Sequence, residues 1–387
     1  MEHIGIDLGA THSHVVVISE AGDLLRRRKL KTTQLETWLK MRGESRVVME
    51  ACTQSPAVAR LAMDAGHQVR VVPGALVRAL GVGARGIKTD DRDAEVLARA
   101  SLRNEELPSV HLKSERSRSR RELLSARASL LDARRDIALS VKSWLRGRLV
   151  MLKGRANTPA FCEAVRQAAL AHKDGLPMAI ETQLETFEHL CGQLAKLEEE
   201  IKRITSKDEV CRRLMTIPGV GPQVALTFTS QVDDPGRFHN ADHVGSYLAL
   251  VPGEATTGGK VKRTGTLKAG PLRLKALLVQ GAWSMWRSRP CDPMVVWARE
   301  LAQRRGTRIA IVALARKLAT VMWSMWKHGT AYDPSRASSA RYQPPSEQVA
   351  GGASSAPPSR EQAKPKRAAS RPRTARPSSE QARQTMR

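Results

Sequence analysis

A chain of 387 residues with 41% hydrophobic content is long enough for two or three domains with sizeable cores. Its 64 Lys and Arg against 38 Asp and Glu leave a formal net charge of +26, which points to a polyanionic partner, because basic side chains displace the counterions condensed on phosphates. Membrane headgroups are disfavoured as that polyanion: no apolar run is expected to reach spanning length, and Met1–Asp7 lacks the charged-then-apolar layout of a signal peptide. The cysteines (Cys52, Cys162, Cys191, Cys211 and Cys291) are odd in number, far apart and without zinc or redox spacing, as expected of reduced, mostly core thiols in a cytoplasmic protein.

From residue 1 to about 110, strand and helix patterns alternate. His3–Asp7 and Val15–Ile18 flank the Gly9–His14 turn and read as a strand pair. Arg46–Ala51 reads as a short buried strand, Ser55–Ala65 as a helix and Gln68–Val72 as another strand. Thr89–Leu102 is a strong helix candidate, opened by Thr89 and by carboxylates in its first turn.

Residues 111–207 read as long helices. Leu184, Phe187, Cys191, Leu194, Leu197, Ile201 and Ile204 recur every three or four positions, the spacing of a short coiled-coil seam or of an ordinary bundle helix. Either makes this region a spacer or a dimerisation arm. The basic stretch Ser114–Arg121 reads as a solvated helix face with a nucleic-acid contact as its alternative.

Residues 208–330 form a further compact domain. It carries a helix–turn–helix punctuation, Ile217-Pro-Gly-Val-Gly-Pro222, a Gly/Thr/Lys-rich loop, Gly253–Gly270, and two helices bearing Trp and Leu. Gly219 and Gly221 fit a turn whose backbone N–H groups hold a DNA phosphate. Trp283, Trp286, Trp323 and Trp326 repeat at helical spacing, as core packing between two helices requires. Residues 331–387 are Ser, Pro, Ala, Gln and Arg with few large apolar side chains, and are expected to be a disordered basic tail.

The chemistry concentrates in four acids. Asp7 ends the strand Ile4-Gly-Ile-Asp7, and Glu50 ends Val47-Val-Met-Glu50. Asp90 and Asp93, in Lys88-Thr-Asp-Asp-Arg-Asp-Ala94, lie three apart and share a helix face, with Asp91 pointing elsewhere. Converging carboxylates repel one another unless cations neutralise them, and hard oxygen donors favour Mg²⁺ or Mn²⁺. Paired ions of that kind clamp a phosphodiester. His12 and His14, in the turn beside Asp7, read as solvent-facing or near DNA, not as ligands. The order strand Asp, strand Glu, helical Asp-x-x-Asp matches ribonuclease H-like nucleases. A strand–Asp–Gly hairpin also opens sugar-kinase folds, so Ile4–Gly9 alone does not discriminate.

Several segments together resemble the DEDD transposases of bacterial insertion sequences. They are Val47–Ala51, Ile87–Glu95, Ile217–Ala225 followed by Asp234-Pro-Gly-Arg-Phe238, and Tyr247-Leu-Ala-Leu-Val-Pro252. Thr257-Gly-Gly259, Gly265-Thr-Leu-Lys-Ala-Gly270 and Ile309–Leu318 complete the set. The likeness spans roughly residues 3 to 333 and is broken mainly in the helical middle.

The resemblance implies a RuvC-like (ribonuclease H-like) α/β N-terminal domain at 1–110, in which Asp7, Glu50, Asp90 and Asp93 hold Mg²⁺. A helical coiled-coil arm at 111–207 and a mostly α transposase domain at 208–330 would follow. It further implies DNA as substrate, a guide RNA, a dimer or tetramer, and a serine nucleophile after the Leu-Val-Pro segment that forms a covalent link to DNA. No serine lies between Ser246 and Ser284; Thr257 stands in that place, preceded by Thr256. A threonine hydroxyl can attack when activated, although its β-methyl restricts χ1. Thr257 as nucleophile, Thr256 as nucleophile and purely metal-hydrolytic chemistry stay open. Lys260, Lys262, Arg263 and Lys268 fit phosphate contacts in each case. The competing readings are a metal-only nuclease of the Holliday-junction kind and a non-catalytic nucleic-acid-binding relic.

Overall fold

The computed structural model describes residues 1–79, 90–103, 107–152, 154–170, 175–257, 260–267 and 270–335. The side chains of residues 78, 79, 90, 254–257 and 260–264 fall outside that set. Residues 1–340 cluster as one unit, and the stretch expected to be a basic tail lies outside the described residues beyond 335.

Near-continuous apolar runs make strands that are covered on both faces. The N-terminal region is built from β1 (Glu2–Asp7), β2 (His12–Ile18), β3 (Leu24–Lys31), α1 (Leu35–Lys40), β4 (Ser45–Glu50), α2 (Ser55–Asp64), β5 (Gln68–Val72), α3 (Gly74–Ala79) and α4 (Asp90–Arg103). The sheet order is β3-β2-β1-β4-β5, antiparallel across β3, β2 and β1 and parallel across β1, β4 and β5. Ile4, Ile6, Val15, Val17, Val47 and Met49 pack on one face against Leu35 and Leu39 of α1 and Val58, Ala59 and Ala62 of α2. On the other face Val16 and Ile18 meet Ala94 and Ala98 of α4, and Val48 and Val72 meet Leu97.

The strand pair, the strand ending at Glu50, the helix from Ser55 and the strand at Gln68–Val72 stand where the sequence patterns put them. β3, α1 and α3 were not legible. β3 reads Leu-Leu-Arg-Arg-Arg-Lys-Leu-Lys and carries no apolar alternation, because it is an exposed edge strand.

The helical middle comprises α5 (Glu115–Arg146), α6 (Ala160–Leu170) and α7 (Met178–Lys207). Ser114 starts α5 by accepting a hydrogen bond from the Ser117 N–H. The apolar stripe of α7 is spent inside the chain: Leu184 and Phe187 are buried with Val141 and Leu145 of α5 and Phe161 and Val165 of α6. Ile201 enters the core of the C-terminal part. The basic start of α5 is likewise engaged within the chain. Arg116 and Arg120 both donate to the buried carboxylate of Asp208, and Arg118 pairs with Glu115.

The C-terminal part contains α8 (Glu209–Leu214), α9 (Pro222–Val232), α10 (Ala241–Tyr247), β6 (Pro252–Thr257), β7 (Lys260–Thr266), α11 (Leu272–Ser288), α12 (Pro293–Arg305) and α13 (Thr307–His328). Two expectations are corrected here. The Gly253–Gly270 segment is largely an antiparallel hairpin of β6 and β7, not a loop, because Thr257 pairs with Lys260 and Thr256 with Val261. Among the described residues three helices with Trp follow it, not two; Asp292 caps α12 and Gly306, at φ +83°, separates α12 from α13.

A third correction concerns α13, which is long and apolar enough by length and composition to cross a membrane. Its Leu314, Leu318 and Met322 are fully buried in the C-terminal core, which accounts for its apolarity. Trp323 is buried there and donates its indole N–H to the Pro235 carbonyl, and the Trp326 ring lies tilted against Phe228. Tyr332, inside the stretch expected to be tail, packs on the same core and donates to Asp292. Among the cysteines, Cys162 and Cys211 are buried and Cys52 and Cys291 exposed, all of them free thiols.

Candidate active site

β1 and β4 run parallel side by side, with Ile6 opposite Met49, so Asp7 and Glu50 emerge one residue later from neighbouring strand ends. Side chains alternate along a strand, and this fixes their face. Gly5 and Val48, two residues before each acid, both lie beneath α4. Asp7 and Glu50 therefore share the α4 side of the sheet.

The closeness of α4 depends on Gly5. A Cβ there would stand 1.9 Å from the Ala94 carbonyl oxygen. Helix backbone lies directly on strand backbone at this crossing. Asp93, one residue before Ala94, is 7% exposed and is carried to the same end of β1. The backbone of Asp90 opens α4, but its side chain lies outside the described residues.

Glu50 has its own accommodation. A Cβ on Gly74, at the start of α3, would meet the Glu50 Oε1 at 2.4 Å, so the absence of a side chain there leaves room for the carboxylate. The next strand contributes His14, which lies opposite Asp7 on β2 and whose Nδ1 shares a 2.5 Å hydrogen bond with Asp91 Oδ1. Asp91, which the helical spacing was expected to point elsewhere, reaches His14 beside Asp7. Sequence reading missed Gly74 and the His14–Asp91 pair; Pro73-Gly74 after a strand was the only local signal.

Hard carboxylate oxygens suit an oxophilic divalent cation. Among the described residues, however, no three His, Cys, Asp or Glu side chains stand close enough together to hold one ion. Asp7, Glu50 and Asp93 are gathered at one sheet end without forming a closed three-ligand set.

The other expected residues stand elsewhere in the chain. Gly219 and Gly221 form the turn between α8 and α9, and Pro222 opens α9 with Gly221 as N-cap. Gly219 has φ +85°, and a Cβ there would meet the Gly281 carbonyl of α11 at 2.4 Å, so this turn is also a close backbone packing point. Thr257 ends β6 at the hairpin tip, and Lys260, Lys262 and Arg263 lie on β7. The side chains of these four and of Thr256, and all of Lys268, lie outside the described residues. Among the described residues, the backbone of the hairpin makes no extensive contact with β1, β4 or α4.

A model described as "Transposase", the DEDD transposase of IS110 type, matches residues 4–148 and so contains all four acids. A second, described as "Transposase IS116/IS110/IS902 family", matches residues 211–294, from α8 into α12. The chain is similar to a "Probable family 20 transposase" of Pseudomonas aeruginosa, 29% identical over 86% of this chain and 99% of the relative. It is also similar to the transposase for insertion sequence element IS1328 of Yersinia enterocolitica, 28% identical over 85% and 98%. A transposase-named protein of Sinorhizobium fredii is 30% identical over 69% of this chain and 71% of its own length.

The chain belongs to the IS110 family of transposases.

In this transposase, then, the N-terminal match covers the α/β sheet with its strand-end acids and also α5, and the C-terminal match covers the α8–α9 turn and the β6–β7 hairpin. The stretch between the two matches, residues 149–210, contains α6 and α7 and the first residues of α8.

Proposed function

We propose that this transposase cuts and rejoins DNA, with Asp7, Glu50, Asp90 and Asp93 as the acids of a RuvC-like (ribonuclease H-like) centre. One observation carries the reading: Asp7 and Glu50 leave adjacent parallel strands on one face, under the helix that bears Asp90 and Asp93. The acids would hold Mg²⁺ or Mn²⁺, whose chemistry when bound is to polarise the scissile phosphate and stabilise the leaving oxygen. Asp93 is a buried carboxylate on the same helix. The described acids do not close a three-donor set by themselves, so the Asp90 carboxylate and phosphate oxygens of the substrate are the groups that would complete it.

Thr257 is proposed as the nucleophile. Its hydroxyl would give up its proton and attack phosphorus, the bond from phosphorus to the leaving oxygen would break, that oxygen would take up a proton as a free DNA hydroxyl, and a threonine–DNA phosphodiester would remain until strand joining reverses the step. Among the described residues the backbone of this hairpin makes no extensive contact with β1, β4 or α4, which favours a composite site completed by a second copy in a dimer or tetramer. Gly219, Gly221, Lys260, Lys262, Arg263 and Lys268 would hold phosphates, and a guide RNA would select the sites. Such a protein would act in the cytoplasm, where the DNA is.

The test incubates the full chain with Mg²⁺, a duplex carrying the element end, and RNA transcribed from the noncoding flank. Protein covalently bound to cleaved DNA is then sought on a denaturing gel. Thr257→Ala should abolish the adduct, and Asp7→Ala should lower cutting by roughly 10²–10³-fold or more. Cutting that survives Thr257→Ala without any adduct supports the metal-only nuclease. Nucleic-acid binding indifferent to Asp7→Ala, with no Mg²⁺-dependent cleavage in the native chain, supports the binding relic.

A further inference from the structure

The edge strand β3 carries Arg26, Arg27, Arg28, Lys29 and Lys31, all exposed. Basic side chains on an edge discourage pairing with another strand, and that accounts for the charge but not for where each side chain lies. Alternation divides them between the two faces. Arg26 and Arg28 line a shallow groove with Trp38 and Arg42, on the α1 side. Arg27, Lys29 and Lys31 lie on the α4 side, where Arg27 is engaged by Glu95. Among the described residues, Lys29 and Lys31 make no ion pair.

The register ties these two lysines to the acids. Asp7 lies opposite His14, and His14 lies opposite Lys29. Glu50, Asp7, His14 and Lys29 thus form one row across four neighbouring strands, all on the α4 side, with His12 and Lys31 in the next row outward. Two strand spacings separate Lys29 from Asp7, about 10 Å. A DNA strand carries one phosphate for about every 3.4 Å of helix axis. A backbone with one phosphate at Asp7 and Glu50 therefore passes Lys29 within a few phosphates.

We infer that Lys29 and Lys31 are a docking track for the DNA strand being cut, holding the phosphates that flank the scissile one. The inference rests on the recombinase reading above and adds the path that the substrate takes. DNA is the occupant because the track is in register with the acids that act on DNA; the groove on the opposite face, with Arg26 and Arg28, has no such relation.

Arg26 and Arg28 supply the control, since they carry the same charge on the same strand but face the other way. The full-length protein is titrated into a labelled duplex carrying the element end, across a salt series, with and without the flank transcript. Lys29→Ala/Lys31→Ala should weaken DNA binding by about tenfold or more. It should also flatten the slope of log affinity against log salt by about 1.8, or about 0.9 for each phosphate that is no longer neutralised. Arg26→Ala/Arg28→Ala should change the slope by less than half as much, and circular dichroism should show both variants folded. Equal slope changes in the two variants, or an unchanged slope in the lysine variant, overturn the inference. So does a lysine variant that loses affinity for the transcript alone while its DNA slope stays native. A folded native chain that neither binds nor cuts the duplex overturns the recombinase reading itself, whereas normal cutting with an unchanged lysine-variant slope removes only the track.

Discussion

A Cβ on Gly5 would collide with the Ala94 carbonyl at 1.9 Å, and this close approach is what lays α4 across β1. The obstacle is helix backbone, which cannot rotate away as a side chain can. Gly5→Ala should therefore cost about 3 kcal/mol, the upper end for overpacking. A urea unfolding series should show a lower midpoint. DNA cutting by the folded fraction should fall as well, because α4 carries Asp93. A native midpoint would mean that α4 does not lie directly on β1.

Gly74→Ala should behave differently. The atom in the way is Glu50 Oε1, the end of a flexible side chain, 2.4 Å from the added Cβ. Folding should survive with a near-native unfolding midpoint, while the Glu50 carboxylate is displaced and cutting falls roughly tenfold or more, as expected of an ångström-scale misplacement. Parallel melts and cleavage rates separate the two glycines: one variant loses stability first, the other activity alone.

Asp233 sits at φ +69° and ψ −53°, with the Asp234 N–H bonded to the Val232 carbonyl, a γ-turn of the rare positive-φ kind. Its carboxylate accepts from the Ser114 N–H at 2.9 Å and from the Ser114 hydroxyl and His111 Nε2. This joins the start of α5 to the end of α9. Burial alone would raise its pKa; the hydroxyls of Ser114 and Ser117, the Ser114 N–H and His111 outweigh that and hold it well below the usual carboxylate range. A depressed carboxylate stabilises the fold above its unfolded value of about 3.9 and loses that contribution as pH falls toward the folded value. Asp233→Asn keeps tolerance for positive φ but loses the charge, and should cost about 1.5–3 kcal/mol at pH 7. The gap between native and variant, measured by urea unfolding, should narrow below about pH 4.

Lys113 lies beside the same joint, donating to the Gln231 carbonyl at 2.5 Å. Burial first, then the charges of Arg121 and Arg237, outweigh Asp233 and push its pKa down to about 8. The unfolded chain keeps this proton to about pH 10.4. Between those values the unfolded state binds more protons, so this group adds stability as pH rises. Lys113→Met removes the titration. The native chain should therefore gain on the variant by about 1–2 kcal/mol between pH 8 and 10.4, after allowance for solvent screening. A gap that stays constant over that window would show that the lysine is not desolvated.

Local pattern was enough to locate Asp7 and Glu50 at strand ends and to put Asp90 and Asp93 at the start of one helix, because these periods are set within a few residues. The periodicity of Leu184 and Phe187 predicted an apolar stripe on α7 but not what would cover it. The cover for these two residues is supplied by α5 and α6 of the same chain. Nor could periodicity find β3, whose charged sequence becomes a strand only by pairing with β2 at the sheet edge. The room beside Glu50, the partner of Asp91, the joint at Asp233 and the row from Glu50 to Lys29 all link residues far apart in sequence. Only strand register and backbone-to-backbone packing decided them, since a distance across the sheet is written in no single segment of the chain.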